Sequence, residues 1–331
     1  KLLIKEKLNF ITQNEGGLFC PTANVWIDPI KPVKTALITH AHFDHVSLGC
    51  HEYISSYETG LLLKKRLGNK INLKTYDYDQ NFYINGVKIS MHPSGHILGS
   101  SQIKIDSASE TWLLTGDFKR QQDKTCKNYK EIKTDFLICE STFGLPIFNW
   151  ESTNKIIDDI AKWVIESEDT VSILFCYSLG KAQRILSEIG DKNINNIYIH
   201  KSINNINSVY KKLGFEFIKT KIFDKSLDIN LFKNSLLLLP PSLNNRHFLS
   251  KFKKVQTSFA SGWMSIRAIK KRANYDKGFV ISDHADWNGL IQTIINSKAQ
   301  NIFLNHGDGE CLARYLRSKN NLNINSLKSI I

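Results

Sequence analysis

Short apolar runs separated by turn residues dominate the first 140 positions. Residues 25–27, 36–39, 87–92, 102–105, 112–115 and 136–139 are rich in β-branched or aromatic side chains and predict strands, with Asn85-Gly86 and Gly116-Asp117 as turns. From about Glu151 the period changes: Ile156, Ile157, Ile160, Trp163 and Val164 share one helical face, and 171–175 follows as a buried strand. The alternation continues with a helix over 179–189, a strand at 197–199, a helix through 209–213 and an apolar run at 236–239 stopped by Pro240-Pro241. A strand at 279–282, a helix at 287–295, a strand at 302–305 and a helix at 310–317 then resume a compact pattern. The fold class is α/β, and 147–264 forms a layer of its own between 1–146 and 265–331.

Composition narrows the picture. With 331 residues, 42% hydrophobic and 23% charged, the chain is an ordinary globular one with about two domains of core. No stretch reaches the ~18 apolar residues of a membrane span, and residues 1–10 carry three Lys and a Glu where a signal core would be apolar. The expectation is a cytoplasmic protein with no membrane partner. A net charge of +13 favours a polyanionic partner such as nucleic acid, although Lys-, Asn- and Ile-rich sequences also arise from AT-rich genomes. The six cysteines form no C-x-x-C pair and are expected to be reduced and structural.

Candidate chemistry concentrates in Thr39-His40-Ala41-His42-Phe43-Asp44-His45, directly after the apolar run ending at Ile38. Positions two apart on a strand point the same way, so His40 and His42 share a face, and a turn returns Asp44 and His45 towards it. Four imidazole and carboxylate ligands at H-x-H-x-D-H spacing suit a catalytic site with two metal ions. Further ligands are expected at other strand ends: His96 in a Gly-flanked loop, Asp117 after Gly116, and His306 before Gly307. His92 is near enough to His96 in sequence to support it, and His51, His200 and His247 read as structural.

These motifs, in this order, resemble the metallo-β-lactamase superfamily and, within it, the β-CASP nucleases. Asp28 in Trp26-Ile27-Asp28-Pro29 is similar to the superfamily's structural aspartate. Glu140, His284 in Ser282-Asp283-His284-Ala285-Asp286, and His306 resemble the β-CASP signatures on either side of the inserted segment. Gly17 to Pro21, Glu140 to Pro146, Tyr177 to Arg184 and Phe259 to Met264 further resemble the ligase-associated DNA exonucleases of bacteria, from near residue 14 to near 317. In the segment His306-Gly307-Asp308 the family more often has an aromatic after the glycine. The resemblance implies a metallo-β-lactamase αββα sandwich: core at 1–146 and 265–331, with an inserted α/β β-CASP cap at 147–264.

The resemblance also implies a mechanism. One ion is held by His40, His42 and His96, the other by Asp44, His45 and His306, with Asp117 bridging and a shared hydroxide as nucleophile. Zinc is the metal these ligands prefer, with manganese or magnesium as alternatives. His284, steered by Glu140, protonates the leaving oxygen. The turn at Ser178 and Lys181 would grip a phosphate, or Ser178 would only cap the following helix. Ser261, Trp263 and Arg267 complete the expected nucleic-acid contacts, with Lys251, Lys253, Lys254, Lys270, Lys271 and Arg272 as a phosphate-tracking run or a solvated face. Trp263 and Trp287 would stack a base or pack in the core.

The function implied is a two-metal DNA exonuclease of repair or end processing, acting on single strands or frayed ends, in association with a DNA ligase and a helicase. The alternatives are an RNA-processing exo- or endoribonuclease of the β-CASP family and a non-catalytic nucleic-acid-binding subunit. Small-molecule hydrolases of the superfamily would not need the Glu140 and His284 pair.

Overall fold

The computed structural model describes residues 10–327 apart from 195, 225, 227, 273, 308 and 321. The Lys-rich start at 1–9 and Asp308 therefore lie outside the described residues. Strands β1 (Thr12–Asn14), β2 (Gly17–Cys20), β3 (Val25–Ile27), β4 (Thr35–Leu37), β5 (Glu52–Ser56) and β6 (Leu73–Tyr76) pair in that order as one sheet. A second sheet begins with β7 (Asn81–Ile84), β8 (Val87–Pro93), β9 (Ser101–Asp106), β10 (Thr111–Leu114) and β11 (Phe136–Glu140).

The two sheets pack face to face, and period-two alternation explains how. Trp112, Leu114 and Ile138 point into the apolar cluster shared with Leu18, Ile27, Leu37 and Ile54 of the first sheet. Their neighbours Leu113, Leu137 and Cys139 point to the opposite face, so these strands read as unbroken apolar runs because both faces are buried. The outer face of the first sheet carries Ala36, Ile38 and Tyr53, covered by Leu62 and Leu63 of α1 (Tyr57–Leu67). That helix has no strong apolar stripe to announce it, but Ser56 caps it by accepting the Thr59 N–H at 3.2 Å.

After α2 (Thr153–Ile165) the chain builds a third sheet from β12 (Val171–Phe175), β13 (Ile197–Ile199), β14 (Lys221–Ile222), β15 (Ser235–Leu239), β16 (Val255–Ala260) and β17 (Lys277–Phe279). Its order is β14-β13-β15-β12-β16-β17, parallel throughout. Helices α3 (Lys181–Glu188), α4 (Lys201–Lys212), α5 (Arg246–Leu249) and α6 (Arg267–Arg272) connect these strands. The last strand differs from the one expected at 279–282: pairing with β16 ends at Phe279, on the return side of position 264, and Ser282 and Asp283 turn inward. Helices α7 (Trp287–Asn296) and α8 (Glu310–Asn320) then cover the outer face of the second sheet through Leu290, Ile294, Leu312 and Leu316. Between and after them, β18 (Asn301–Asn305) and β19 (Asn323–Ser326) extend that sheet beside β11. Among the described residues the result is a mixed α/β arrangement of three sheets.

No helix is long and apolar enough to cross a membrane among the described residues, and the six cysteines are free thiols. Strands β10, β11 and β18 run parallel, so their carboxyl ends deliver Asp117, Glu140 and His306 to one edge. Leu174 is fully buried in β12 at the middle of the third sheet, so shortening it removes buried apolar contact and leaves a cavity. Leu174→Ala is expected to lose about 2–5 kcal/mol of stability, measured by chemical denaturation.

Candidate metal centre and nucleic-acid cleft

Asp28, at the close of β3 with φ +43, organises the loop that follows β4. Its carboxylate accepts the Thr39 N–H at 2.8 Å, the Thr39 hydroxyl at 2.5 Å and the His45 Nδ1–H at 2.8 Å. Because the Thr39 hydroxyl donates to Asp28, its oxygen is left to accept from His40 Nδ1, 3.1 Å away. The proton of His40 is thereby drawn to Nδ1, and the lone pair of Nε2 faces inward.

The same logic applies to two more imidazoles. His42 Nε2 lies 3.1 Å from the Leu179 carbonyl and His96 Nδ1 lies 2.6 Å from the Asp283 carbonyl, which fixes a proton on each of those nitrogens. Burial above all, and neighbouring histidines for His40 and His96, hold the pKa of these groups below the ordinary imidazole value, so they are neutral. Three inward lone pairs then meet: His42 Nδ1 is 3.1 Å from both His40 Nε2 and His96 Nε2. Asp117 Oδ2 adds a carboxylate oxygen 3.5 Å from His40 Nε2 and 3.7 Å from His96 Nε2. Acceptors crowded without a proton among them repel one another, and a cation at their centre converts the repulsion into ligation. Their N₃O donor set suits a divalent transition metal.

His45, Asp117 and His306 form a second group of donors within ligation range of one another. His45 Nε2 is 3.4 Å from Asp117 Oδ2. Burial opposes its proton, but the carboxylates of Asp117 and Asp28 outweigh burial and raise its pKa well above the ordinary value. A cation entering here displaces that proton. Asp117, despite burial, is held well below the usual carboxylate range by His45 and His284. Asp44 stands apart: its side chain is 79% exposed, with Oδ2 3.9 Å from His45 Nε2, and it joins neither donor group.

Beside both groups sits His284. Its Nδ1 is 2.8 Å from Glu140 Oε2 and its Nε2 is 4.0 Å from Asp117 Oδ2. Burial disfavours its charge, yet Glu140 and then Asp117 lift its pKa to about 9. Glu140 is itself fixed by the Phe118 N–H and the Thr142 hydroxyl, each at 2.6 Å.

His42, Asp44, His45, His96, Asp117, His284 and His306 open on one cleft of about 1260 Å³ between the paired sheets and the third sheet, with His40 and Glu140 buried behind them. Ser178, Ser261 and Trp263 line it. Ser178 does not cap α3, since Gly180 holds that place, and its hydroxyl shares a 2.7 Å hydrogen bond with Ser202. The Ser261 hydroxyl accepts the Trp263 N–H at 3.3 Å, and Trp263, 39% exposed, packs on Phe143. Lys181 also lines the cleft, although buried, and its ammonium pairs with Asp283 at 2.9 Å. Arg267, exposed at the start of α6, is absent from the described lining. The basic run divides, Lys251, Lys253 and Lys254 preceding β16 and the others following it. Trp287 packs in the core, and His92 bonds Ser90 and Asp79.

Thr39, Leu179, Phe43 and Tyr177 were not legible as site residues. Thr39 acts through a hydroxyl relay and Leu179 through its main chain, which no side-chain motif marks. Phe43 and Tyr177, 58% and 56% exposed, line the cleft as apolar faces, and Arg66 stacks 3.6 Å over the Phe43 ring.

No family model matches the chain. It is similar to a probable DNA ligase of Opitutus terrae, 28% identical over 307 residues that cover 92% of this chain and 30% of that protein. It is also similar to Endoribonuclease YSH1 of Yarrowia lipolytica, 35% identical over 127 residues, 36% of this chain and 14% of the other. RNase aCSPSF2 of Saccharolobus solfataricus is 29% identical over 195 residues, 49% of this chain and 39% of its own. The chain thus spans well under half the length of each of these relatives. A solved protein of unknown function from Enterococcus faecalis shares the fold, with a TM-score of 0.56 at 11% identity, over 82% of this chain and 74% of that one.

Removing the carboxylate that orients His45 and, through Thr39, His40 leaves both imidazoles free to turn. Asp28→Ala is expected to weaken zinc binding about 10- to 100-fold, read by competition with a chromophoric chelator.

Proposed function

We propose that the chain is a metal-dependent phosphodiester hydrolase of the β-CASP group within the metallo-β-lactamase superfamily, acting on a nucleic-acid strand held in the cleft. The observation that carries this reading is the placement of the His284 and Glu140 pair against Asp117, beside two convergent donor groups in one cleft. The αββα sandwich with an inserted cap is part of the same proposal. Its support is the helix cover outside the two packed sheets and the third, wholly parallel sheet between β11 and β18.

His40, His42 and His96 would hold one divalent ion, His45 and His306 the other, with Asp44 at the rim and Asp117 facing both. Two such ions, when bound, supply Lewis acidity towards phosphoryl oxygens and an ionisable water. Zinc fits the donor set, with manganese or magnesium as alternatives. The chain's own contribution is a proton: Glu140 and Asp117 raise the pKa of His284 to about 9, Glu140 fixes its Nδ1–H, and Nε2–H would be given to a departing oxygen. Phe43, Tyr177 and Trp263 offer aromatic faces to unpaired bases, which suits a single strand or frayed end. Ser178 and Ser261 present hydroxyls at the same wall.

The relatives named for ribonuclease activity support RNA as substrate more strongly than the DNA exonuclease role expected from the sequence. The DNA reading stands second, supported by the probable DNA ligase that matches 92% of this chain, and association with a ligase rests on the same match. The two convergent donor groups and the His284 pair speak against a non-catalytic subunit.

The test is degradation of matched single strands of RNA and DNA, labelled at either end, by wild type and Asp117→Asn loaded with zinc or manganese. Preferential RNA cleavage that Asp117→Asn abolishes is the expected result. Mononucleotide release from DNA alone transfers the protein to the DNA exonuclease reading, and cleavage of neither strand by metal-loaded protein overturns hydrolysis. His284→Ala is expected to keep its metal and lose about 10²- to 10⁴-fold in turnover; loss of metal from this variant contradicts the assigned role. Since the folded His284 titrates near 9, activity falls as pH rises through its pKa, at or below 9 once bound cations oppose the proton. Glu140→Gln removes the raising charge, so that descending limb moves towards neutral pH in a rate–pH profile.

A further inference from the structure

A group of buried charges closes the seam between the third sheet's layer and the paired sheets. Lys119 and Asp123, in the loop after β10, pair at 2.6 Å; Lys181 of α3 pairs with Asp283 at 2.9 Å. Asp283 Oδ1 lies 3.8 Å from Lys119 Nζ and 3.6 Å from Arg184 of α3. Each of these side chains is at most 6% exposed. Charges so buried are tolerated only with their partners in place, and removing one member leaves the others uncompensated.

The same seam supplies the two carbonyls that orient His42 and His96. The Leu179 oxygen belongs to the turn entering α3, two residues before Lys181, and the Asp283 oxygen to the residue that Lys181 binds. Lys119 also donates to the His96 carbonyl at 3.2 Å. Gly180 makes the approach feasible: its φ is +88, and a Cβ there would sit 2.3 Å from Ile97 Cγ2, beside His96.

We propose that Lys181, Asp283 and Lys119 are positioning residues for the His40, His42 and His96 donor group, so that docking of the third layer sets the affinity for a divalent cation. This rests on the reading of that group as a cation site. The coupling runs through main-chain oxygens: displacing the Lys181 and Asp283 pair moves both carbonyls, frees the two rings to rotate and scatters the inward lone pairs.

The test uses the full chain with cobalt(II), whose absorption spectrum reports ligand geometry, and zinc in competition with a chelator. Lys181→Met and Asp283→Asn, verified by cooperative thermal unfolding, are expected to bind metal at least about tenfold more weakly and to show an altered cobalt spectrum. Lys124→Ala, which removes the exposed pair to Glu188 across the same seam, is expected to bind as wild type does. Wild-type affinity and spectrum in folded Lys181→Met or Asp283→Asn overturn the proposal. Linkage is reciprocal, so the wild type offers a check that needs no variant. Metal loading must slow amide hydrogen exchange across residues 178–184, and unchanged exchange overturns the coupling even if the variants do not fold. A wild type that binds no cobalt overturns the cation-site reading itself, a result distinct from metal binding that ignores the seam.

Discussion

Lone pairs turned towards one another are the constraint on which this molecule is built. Three neutral imidazoles and a carboxylate oxygen, with contacts of 3.1 Å to His42 and 3.5 to 3.7 Å to Asp117, cannot stay so close without a cation unless rigid structure holds them there. Each ring is held from behind: His40 by Thr39, His42 by the Leu179 carbonyl, His96 by the Asp283 carbonyl. The outward hydrogen bonds decide the tautomers, and the tautomers decide what the centre can bind. Asp28 anchors one side of this arrangement by serving Thr39 and His45 together.

The sheets explain why the holding works. Parallel β10, β11 and β18 end at one edge, so Glu140 closes a strand buried on both faces, while Asp117 and the exposed His306 follow just beyond the ends of their strands. The third layer does more than roof the cleft. Leu179, Ile206, Val209 and Tyr210 share an apolar cluster with Ile38, Leu62 and Leu63, so the two parts of the chain have a common core beside His42. The Glu140 and His284 pair is built in the same manner: Glu140 is gripped on two sides before it meets His284.

Much of this was legible in the chain. Apolar runs marked the buried strands β10, β11, β12, β15 and β18, because strands covered on both faces carry an unbroken signal. Strand β16 escaped notice, since Thr257 and Ser258 are buried polar residues that break any apolar run. The H-x-H-x-D-H spacing marked His40, His42 and His45, which the fold places close together, while Asp44, in the short 3₁₀ segment at Phe43–His45, lines the cleft with an exposed carboxylate 3.9 Å from His45 Nε2. Lys181 was legible as a residue at the opening of a helix, and its place in the cleft lining follows, but its buried pairing with Asp283 carried no signal in the sequence.

By itself the sequence determined the α/β class, the strand ends that carry imidazoles and carboxylates, and the chemistry those residue types favour. Local spacing and side-chain period suffice for that. Tertiary structure decided which nitrogen of each histidine faces inward, that Asp117 stands between two donor groups, and that a lysine and an aspartate far apart in the chain meet in a buried seam. Those outcomes depend on main-chain carbonyls such as that of Leu179, 137 residues away from His42, and a carbonyl carries no signature in sequence.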